Sequence, residues 1–308
     1  MKIYTLTLNP AYDVHAFLPD FAPFRENLAQ IQSREAGGKG VNISRALCNG
    51  GIPNTAVIVL GKENCGDFKA SLAQSGIPCV YLEKEGRIRE NLTLHCAESP
   101  ETRISFAGFA VDESILSEVL AHMQVDADTV VTFTGRVPSG IPIKQAKEFL
   151  KALQAMGARI VLDSKSFSAE DVFEICPWLI KPNQEEIAEY LGCDVENPKE
   201  VLEKAAVFSD RGVTNVLVSL GEQGALLRCG GKVWLAVPPV IHAVSTVGAG
   251  DSTIAGFLAA FFGGGNEAAC LKNAVAYGTA ACLTSGTLPP RKADVEKIYT
   301  QVDVKEVV

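Results

Sequence analysis

The chain has 308 residues, 47% hydrophobic and 21% charged, ordinary proportions for a folded chain with a sizeable core in one large domain or two. Its 28 basic and 36 acidic residues leave a net charge of -8 with no Lys/Arg cluster, which argues against a nucleic acid or an anionic membrane as partner. The first residues, Met1 to Leu8, lack the apolar core and small-residue cleavage site of a signal peptide, and no apolar run is long enough to span a bilayer, so a cytoplasmic protein is expected.

Residues 2–8 alternate Ile3, Thr5 and Thr7 against Tyr4, Leu6 and Leu8, a strand stopped by Asn9-Pro10. Asp13 comes next. An acid just past a strand is where an α/β protein places a ligand contact, and an Asx-type turn after Pro10 is the alternative reading. Between 14 and 34 the pattern changes to alternating Val14, Ala16 and Leu18, interruptions at Pro19 and Pro23, and an extended piece from Leu28 to Ser33. A matching region at 91–106 alternates Leu92, Leu94 and Cys96 and continues to Ile104 and Phe106 past a Ser99-Pro100-Glu101 turn. Two such patches predict a small accessory sheet, serving as a lid or a dimer surface.

Between them lies Gly37-Gly38-Lys39-Gly40-Val41-Asn42, leading into a helix. Glycines allow close backbone approach, a helix start presents free N–H groups, and Lys39 adds a full charge, so this corner favours an anion; an exposed glycine turn is the plainer alternative. It is not a Walker A loop, because Gly40 rather than Ser or Thr follows the lysine.

Short β-branched runs at 55–60, 128–133, 159–163, 178–180 and 215–220 alternate with helical patterns at 114–122, 142–156, 184–191 and 198–210. That order predicts a largely parallel sheet covered on both faces. The segments Gly135 to Gly140, Asp163-Ser164-Lys165, Lys181 to Glu186 and Gly221 to Ala225 then fall on one edge of the sheet. In Lys181-Pro182-Asn183, the proline stops a strand, and Asn183 with Glu186 forms a capping box for the next helix. The same amide and carboxylate are suited to ordering waters around a nucleotide's Mg²⁺. The nine cysteines are scattered and never spaced Cys-x-x-Cys, so most read as small core residues, and the four histidines form no His-Glu-x-x-His pair. A Gly-x-Ser-x-Gly motif is also absent.

A hairpin strand from Lys232 to Val237 is broken by Pro238-Pro239, and two helices rich in small residues are predicted at 252–262 and 267–284, shaped for tight packing or for an adenine slot. The first is entered through Thr246-Val247-Gly248-Ala249-Gly250-Asp251-Ser252-Thr253. Its uncovered N–H groups suit an anion, yet Asp251 in the same turn would repel one. The acid makes sense as a base beside a phosphate-bearing cosubstrate, or as a charge complementing the helix start.

Taken together, Thr5 to Asp13, Gly37 to Asn42, Lys181-Pro182-Asn183 with Glu186, Val218 to Ala225, and Thr246 to Ser252 resemble, in order, the PfkB (ribokinase-like) family of carbohydrate kinases, over nearly the whole chain. The Thr-Leu-Asn-Pro-Ala start and Gly-Gly-Lys-Gly further resemble the branch of 1-phosphofructokinase and tagatose-6-phosphate kinase. The resemblance implies a three-layer α/β/α core with a mostly parallel sheet, a β lid from insertions at about 12–34 and 88–107, one domain over 1–308, and a homodimer formed through the lid. It implies Asp251 as base, with Gly248, Ala249 and Gly250 around an anion hole built on the Ala249 and Gly250 N–H groups. Asp13, Gly38, Lys39 and Asn42 would hold the sugar phosphate, and Arg89 would face its phosphate. Mg-ATP would meet Asn183 and Glu186, the latter reaching Mg²⁺ through water, with Ser219, Gly221, Gly224, Thr246 and Asn273 along the nucleotide.

Two segments depart from the family pattern: Gly135-Arg136-Val137-Pro138 replaces Gly-Ser-Leu-Pro, and Asp163-Ser164-Lys165-Ser166 replaces Asp-Thr/Ser-Ser-Gly. They add Arg136 and Lys165 near the sugar. The expected activity is transfer of the γ-phosphoryl of Mg-ATP to a ketohexose phosphate, foremost fructose 1-phosphate at C6, with tagatose 6-phosphate, or another sugar or nucleoside, as alternatives. A non-catalytic sugar or nucleotide sensor has no use for Asp251, and a dinucleotide oxidoreductase would need a Gly-x-Gly-x-x-Gly that the first strand lacks.

Overall fold

The computed structural model describes residues 1–97, 101–193 and 198–307 of the chain. The first strand, β1 (Lys2–Thr7), leads into a hairpin of β2 (Ala11–Leu18) and β3 (Gln30–Gly37), then α1 (Lys39–Asn49), β4 (Thr55–Gly61), α2 (Cys65–Gln74) and β5 (Cys79–Lys84). A second hairpin, β6 (Arg89–Cys96) and β7 (Thr102–Ser105), precedes α3 (Ser114–Ala121) and β8 (Thr129–Thr134). Next come α4 (Ile143–Ala155), β9 (Arg159–Asp163), α5 (Ala169–Ile175), β10 (Leu179–Ile180), α6 (Gln184–Leu191), α7 (Pro198–Asp210) and β11 (Asn215–Ser219). The chain closes with β12 (Ala225–Cys229), β13 (Lys232–Val237), α8 (Ala249–Phe262), α9 (Glu267–Ala281), α10 (Lys292–Tyr299) and β14 (Asp303–Glu306).

The main sheet has ten strands in the order β14-β13-β12-β11-β10-β9-β8-β1-β4-β5. From β5 across to β11 neighbouring strands are parallel, and the β11-β12-β13-β14 end is antiparallel. Strand residues alternate between two cores, as a sheet buried on both faces requires. On β8 and β9, Val131, Phe133, Ile160 and Leu162 face α3 to α7, whereas Val130 and Val161 face α1, α8, α9 and α10. The predicted three layers are therefore present.

The small sheet, ordered β3-β2-β6-β7, joins the two predicted patches. Its strands begin and end within a few residues of the expected bounds, and its first part runs on to Gly37. The predicted turn at Ser99-Pro100 lies outside the described residues. Asp13 sits inside β2 rather than in a turn, so its neighbours come from strand pairing, Glu35 on one side and Asn91 on the other. The cysteines fall short of the expected majority of core fillers: all nine are free, only Cys65, Cys229 and Cys270 are buried, Cys48, Cys79, Cys96, Cys193 and Cys282 are half-buried, and Cys176 is exposed.

The sheet's connectivity locates the cleft. After β1 the chain moves to β4 and β5 on one side, then returns to β8 and onward on the other. A crevice opens outside the carboxyl ends of strands where the winding reverses, here between β1 and β8.

Candidate active site

A cleft of about 850 Å³ occupies that switch point. Its floor is made by residues at or just past strand ends: Thr7 after β1, Thr134 to Val137 after β8, Asp163 and Lys165 after β9, and Lys181 and Asn183 after β10. The small sheet supplies Asp13, Arg89, Asn91, Arg103 and Ser105 as one wall, and Val247, Gly248, Gly250 and Asp251 close the opposite end. Three of the four strand-edge segments expected there are in place. The fourth, Gly221 to Ala225, lies outside the lining.

Asp251 is in the first turn of α8, only 6% exposed. One of its carboxylate oxygens, Oδ2, accepts a 2.8 Å hydrogen bond from Asn42 Nδ2. Burial pushes its pKa up; Lys39 and the Asn42 hydrogen bond oppose that, Asp163 adds to it, and the result is about 6. The turn is possible because Gly248, the residue before the helix, takes φ 77, a left-handed conformation that costs glycine little.

The Ala249 N–H is engaged by the Thr246 carbonyl at 3.3 Å. Among the described residues the N–H groups of Gly250 and Asp251 have no acceptor, so the free pair lies one residue further on. Lys181 faces the same turn: a Cβ on Gly250 would fall 3.0 Å from its Nζ. In sequence Lys181 is only part of the strand-stopping Lys181-Pro182-Asn183 segment; the fold brings this residue, just past β10, beside Gly250.

Lys39 is not a free cation. Its Nζ lies 2.9 Å from Asp163 Oδ2, a carboxylate 7% exposed. Burial lowers the ammonium's pKa, but Asp163 and Asp251 outweigh it and the pKa is raised; burial likewise raises Asp163, and Lys181 and Lys39 outweigh it and hold it low. The two charges are thus locked on, while Asp251 titrates at about 6. Gly40 lets α1 approach β1 this closely, since a Cβ there would stand 2.4 Å from the Leu6 carbonyl oxygen.

On the small-sheet wall, Asp13 accepts from Asn91 Nδ2 at 3.0 Å, and burial raises its pKa. Arg89 is held by backbone carbonyls, with Nη1 3.0 Å from Phe106 O and Nη2 3.5 Å from Asn9 O. Neither Arg89 nor Arg136 has a carboxylate within ion-pair distance among the described residues. Burial, followed in size by a counteracting pull from Asp13 and then repulsion by Arg136, lowers the pKa of Arg89. Buried side-chain atoms of Thr7, Asn9, Asn42, Arg89, Asn91 and Thr134, all in the lining, have no partner among the described residues. Native proteins leave few such atoms unpaired, so this cluster marks a surface prepared for a ligand with many polar groups.

The capping box at Asn183 and Glu186 is present: Glu186 N–H donates to Asn183 Oδ1 at 2.7 Å and Asn183 N–H donates to Glu186 Oε2 at 3.1 Å. Glu186 Oε1 is 3.5 Å from Lys165 Nζ, so one of the two added cations already faces acids, Glu189 included. Gly38, with φ 125, lines the cleft beside Thr7. Ser219 pairs with Asn183 in a single parallel bridge at the end of β11, next to the tight turn of Gly221 and Gly224. Ser219, Gly221, Gly224 and Thr246 do not line the cleft, and Asn273 is turned away from it, its Nδ2 bonded to the Gly256 carbonyl at 2.7 Å beside a separate cavity of about 170 Å³.

The profile of the pfkB family carbohydrate kinases matches residues 10–294. A 1-phosphofructokinase of Escherichia coli (strain K12) is 32% identical over 262 residues, 83% of each chain. Another, from Borreliella burgdorferi, is 32% identical over 309 residues, 99% of each chain. Among solved structures, phosphofructokinase-2 from Escherichia coli in complex with substrates and products matches with a TM-score of 0.90 at 28% identity, over 97% of this chain and 99% of that one.

Proposed function

The chain belongs to the pfkB family of carbohydrate kinases and is a phosphotransferase with an alcohol acceptor, and from that premise we propose that it transfers the γ-phosphoryl of ATP to the C6 hydroxyl of fructose 1-phosphate. The observation that carries this reading is Asp251, a buried carboxylate with a pKa of about 6. Among the described residues, the N–H groups of Gly250 and Asp251 in its turn have no acceptor, and two guanidiniums in its cleft, Arg89 and Arg136, have no carboxylate partner.

Each part has a task. Asp251, ionised at neutral pH, takes the proton of the attacking hydroxyl, with Asn42 fixing the carboxylate's orientation. The N–H groups of Gly250 and Asp251 meet the oxygens of the transferring phosphoryl group, and the Lys181 ammonium beside Gly250 offsets its charge. Asp13, Asn91 and Asn42 address the sugar hydroxyls, and Gly38 lets the backbone approach them. Lys39 holds Asp163 and keeps Asp251 ionisable. Arg89 from the small sheet and Arg136 from the main body face the phosphate already on the acceptor.

The nucleotide runs from Asn183 toward Ser219, Gly221, Gly224 and Thr246. Asn273 serves here by tying α9 to α8. Magnesium fits as the nucleotide's companion, a hard cation for which the carboxylate of Glu186 in the capping box with Asn183 is a suitable neighbour. Such an ion would keep most of its water and bind through phosphates, Glu186 would hold it through water, and it would neutralise phosphate charge.

The small sheet acts as a lid over the acceptor. Ile31 and Ile104 are exposed on it, 66% and 40%, and Leu28 is 91% exposed on the loop leading into β3; a second copy of the chain would cover them in a lid-to-lid homodimer. No helix among the described residues is long and apolar enough to cross a membrane.

The test is ADP release from Mg-ATP with fructose 1-phosphate, tagatose 6-phosphate, fructose 6-phosphate, free fructose, ribose and nucleosides as acceptors. Highest kcat/KM with fructose 1-phosphate is expected. Preference for a 6-phosphate would move the attacked hydroxyl to C1, and binding without turnover would favour a sensor.

A further inference from the structure

Strand pairing places one more cation on the acceptor wall. In the small sheet, Asp13, Asn91 and Ser105 form one cross-strand row, and His15, Thr93 and Arg103 form the next. Side chains two apart on a strand share a face, so Arg103 stands on the same face as Arg89 and Asn91, and all three line the cleft. Unlike Arg89 and Arg136, Arg103 has an internal counter-ion. Its Nε and Nη2 both lie 2.6 Å from Glu101 Oε1, and the other oxygen of Glu101 is 3.6 Å from His95 Nδ1. His95 Nε2 in turn shares a 2.9 Å hydrogen bond with Nδ1 of the buried His15.

We propose that Arg103 is a specificity-determining residue for the acceptor's phosphate, and that Glu101 is a placeholder anion which that phosphate displaces. The proposal rests on the phosphosugar reading above. A carboxylate and a phosphate offer oxygens to a guanidinium in the same forked geometry, but the phosphate brings more charge and a third oxygen. Glu101 side chain is 30% exposed and Arg103 49%, so the pair is in contact with water and is readily exchanged. When it leaves Arg103, Glu101 keeps His95 as its neighbour. An acceptor without a phosphate cannot displace Glu101 and meets a neutral pair, whereas a phosphorylated one meets three guanidiniums.

The two members of the pair must then act in opposite directions, which a merely structural ion pair would not do. The experiment measures KM and kcat for fructose 1-phosphate, and for free fructose, in the wild type, Arg103→Met, Glu101→Gln and the double variant, with melting temperatures to confirm folding. Arg103→Met should raise KM for the phosphosugar about tenfold with kcat nearly unchanged, the loss of one charge-assisted contact. Glu101→Gln should lower that KM about threefold, the size of an exposed pair. The double variant should match Arg103→Met alone, and KM for free fructose should stay constant in all four. The proposal is overturned if Glu101→Gln raises or leaves KM for the phosphosugar, or lowers it equally without Arg103. A wild type that ignores every sugar phosphate but uses a free sugar sinks the phosphosugar reading and this proposal with it; a wild type that uses fructose 1-phosphate while the variants match it sinks this proposal alone.

Discussion

Replacing Asp251 by asparagine should make the protein more stable while removing its activity. The carboxylate is buried, and its pKa stands at about 6 against a reference of 3.8. A raised pKa in the folded state means that folding disfavours the ionised form. The stability associated with the group is present in full below the unfolded pKa and is lost as pH rises through the folded one. Above pH 6 the native state therefore carries a cost of about 3 kcal/mol, from roughly two pKa units at 1.36 kcal/mol each. Asparagine imitates the protonated acid in shape and charge, and it can still accept from Asn42. For a chain of this length that corresponds to a rise in Tm of about 5 °C at neutral pH. Calorimetric or dye-monitored melting at about pH 7.5 and about pH 4 measures it. The increment should shrink strongly at the lower pH, where the wild-type acid is itself mostly neutral. A variant no more stable than wild type at neutral pH, or equally stabilised at both, would refute the reasoning that burial and Asp163 strain this group.

The same pKa predicts the acid limb of activity: kcat/KM, which follows the unliganded protein, should fall tenfold per pH unit below about 6, and a limb near pH 4 would place the base in a solvated setting instead. Arg89→Ala should raise KM for phosphorylated acceptors and spare unphosphorylated ones, and equal effects on both would show that Arg89 does not read the phosphate. Lys39→Met should destabilise by about 3 kcal/mol because Asp163 loses its nearest cation, and Asp163→Asn in that background should recover part of the loss in urea melts. No recovery would mean that the cost is packing of Lys39 rather than an orphaned charge.

What the sequence made legible was local. Asp251 with its glycine turn, the capping box at Asn183, the glycines around Lys39 and the alternation of short apolar strands with helices each follow from a few adjacent residues. The structure keeps them where the pattern put them. Elements with weak apolar stripes were not legible: α2 buries only Cys65, Phe68 and Leu72, and β5 and β14 are edge strands with little buried surface. Contacts made by pairing across the sheet were also out of reach. Arg103 joins the cleft because it pairs with Thr93, and no local signal distinguishes it from any other arginine in a strand. Arg136 and Lys165 read alike as added cations, yet Lys165 faces Glu186 and Glu189 while Arg136 faces Arg89. The shift of the free N–H pair from Ala249 to Gly250 and Asp251 depends on one carbonyl, that of Thr246, which sequence cannot orient.

The central claim is that Asp251 deprotonates the acceptor hydroxyl. Its most direct test is the kcat of Asp251→Asn with saturating Mg-ATP and fructose 1-phosphate, alongside the affinity of the same variant for ATP. The account predicts a loss of at least ~10²-fold in kcat, the range for removing a general base, with ATP still bound and the fold intact. A variant that keeps near wild-type kcat would contradict it.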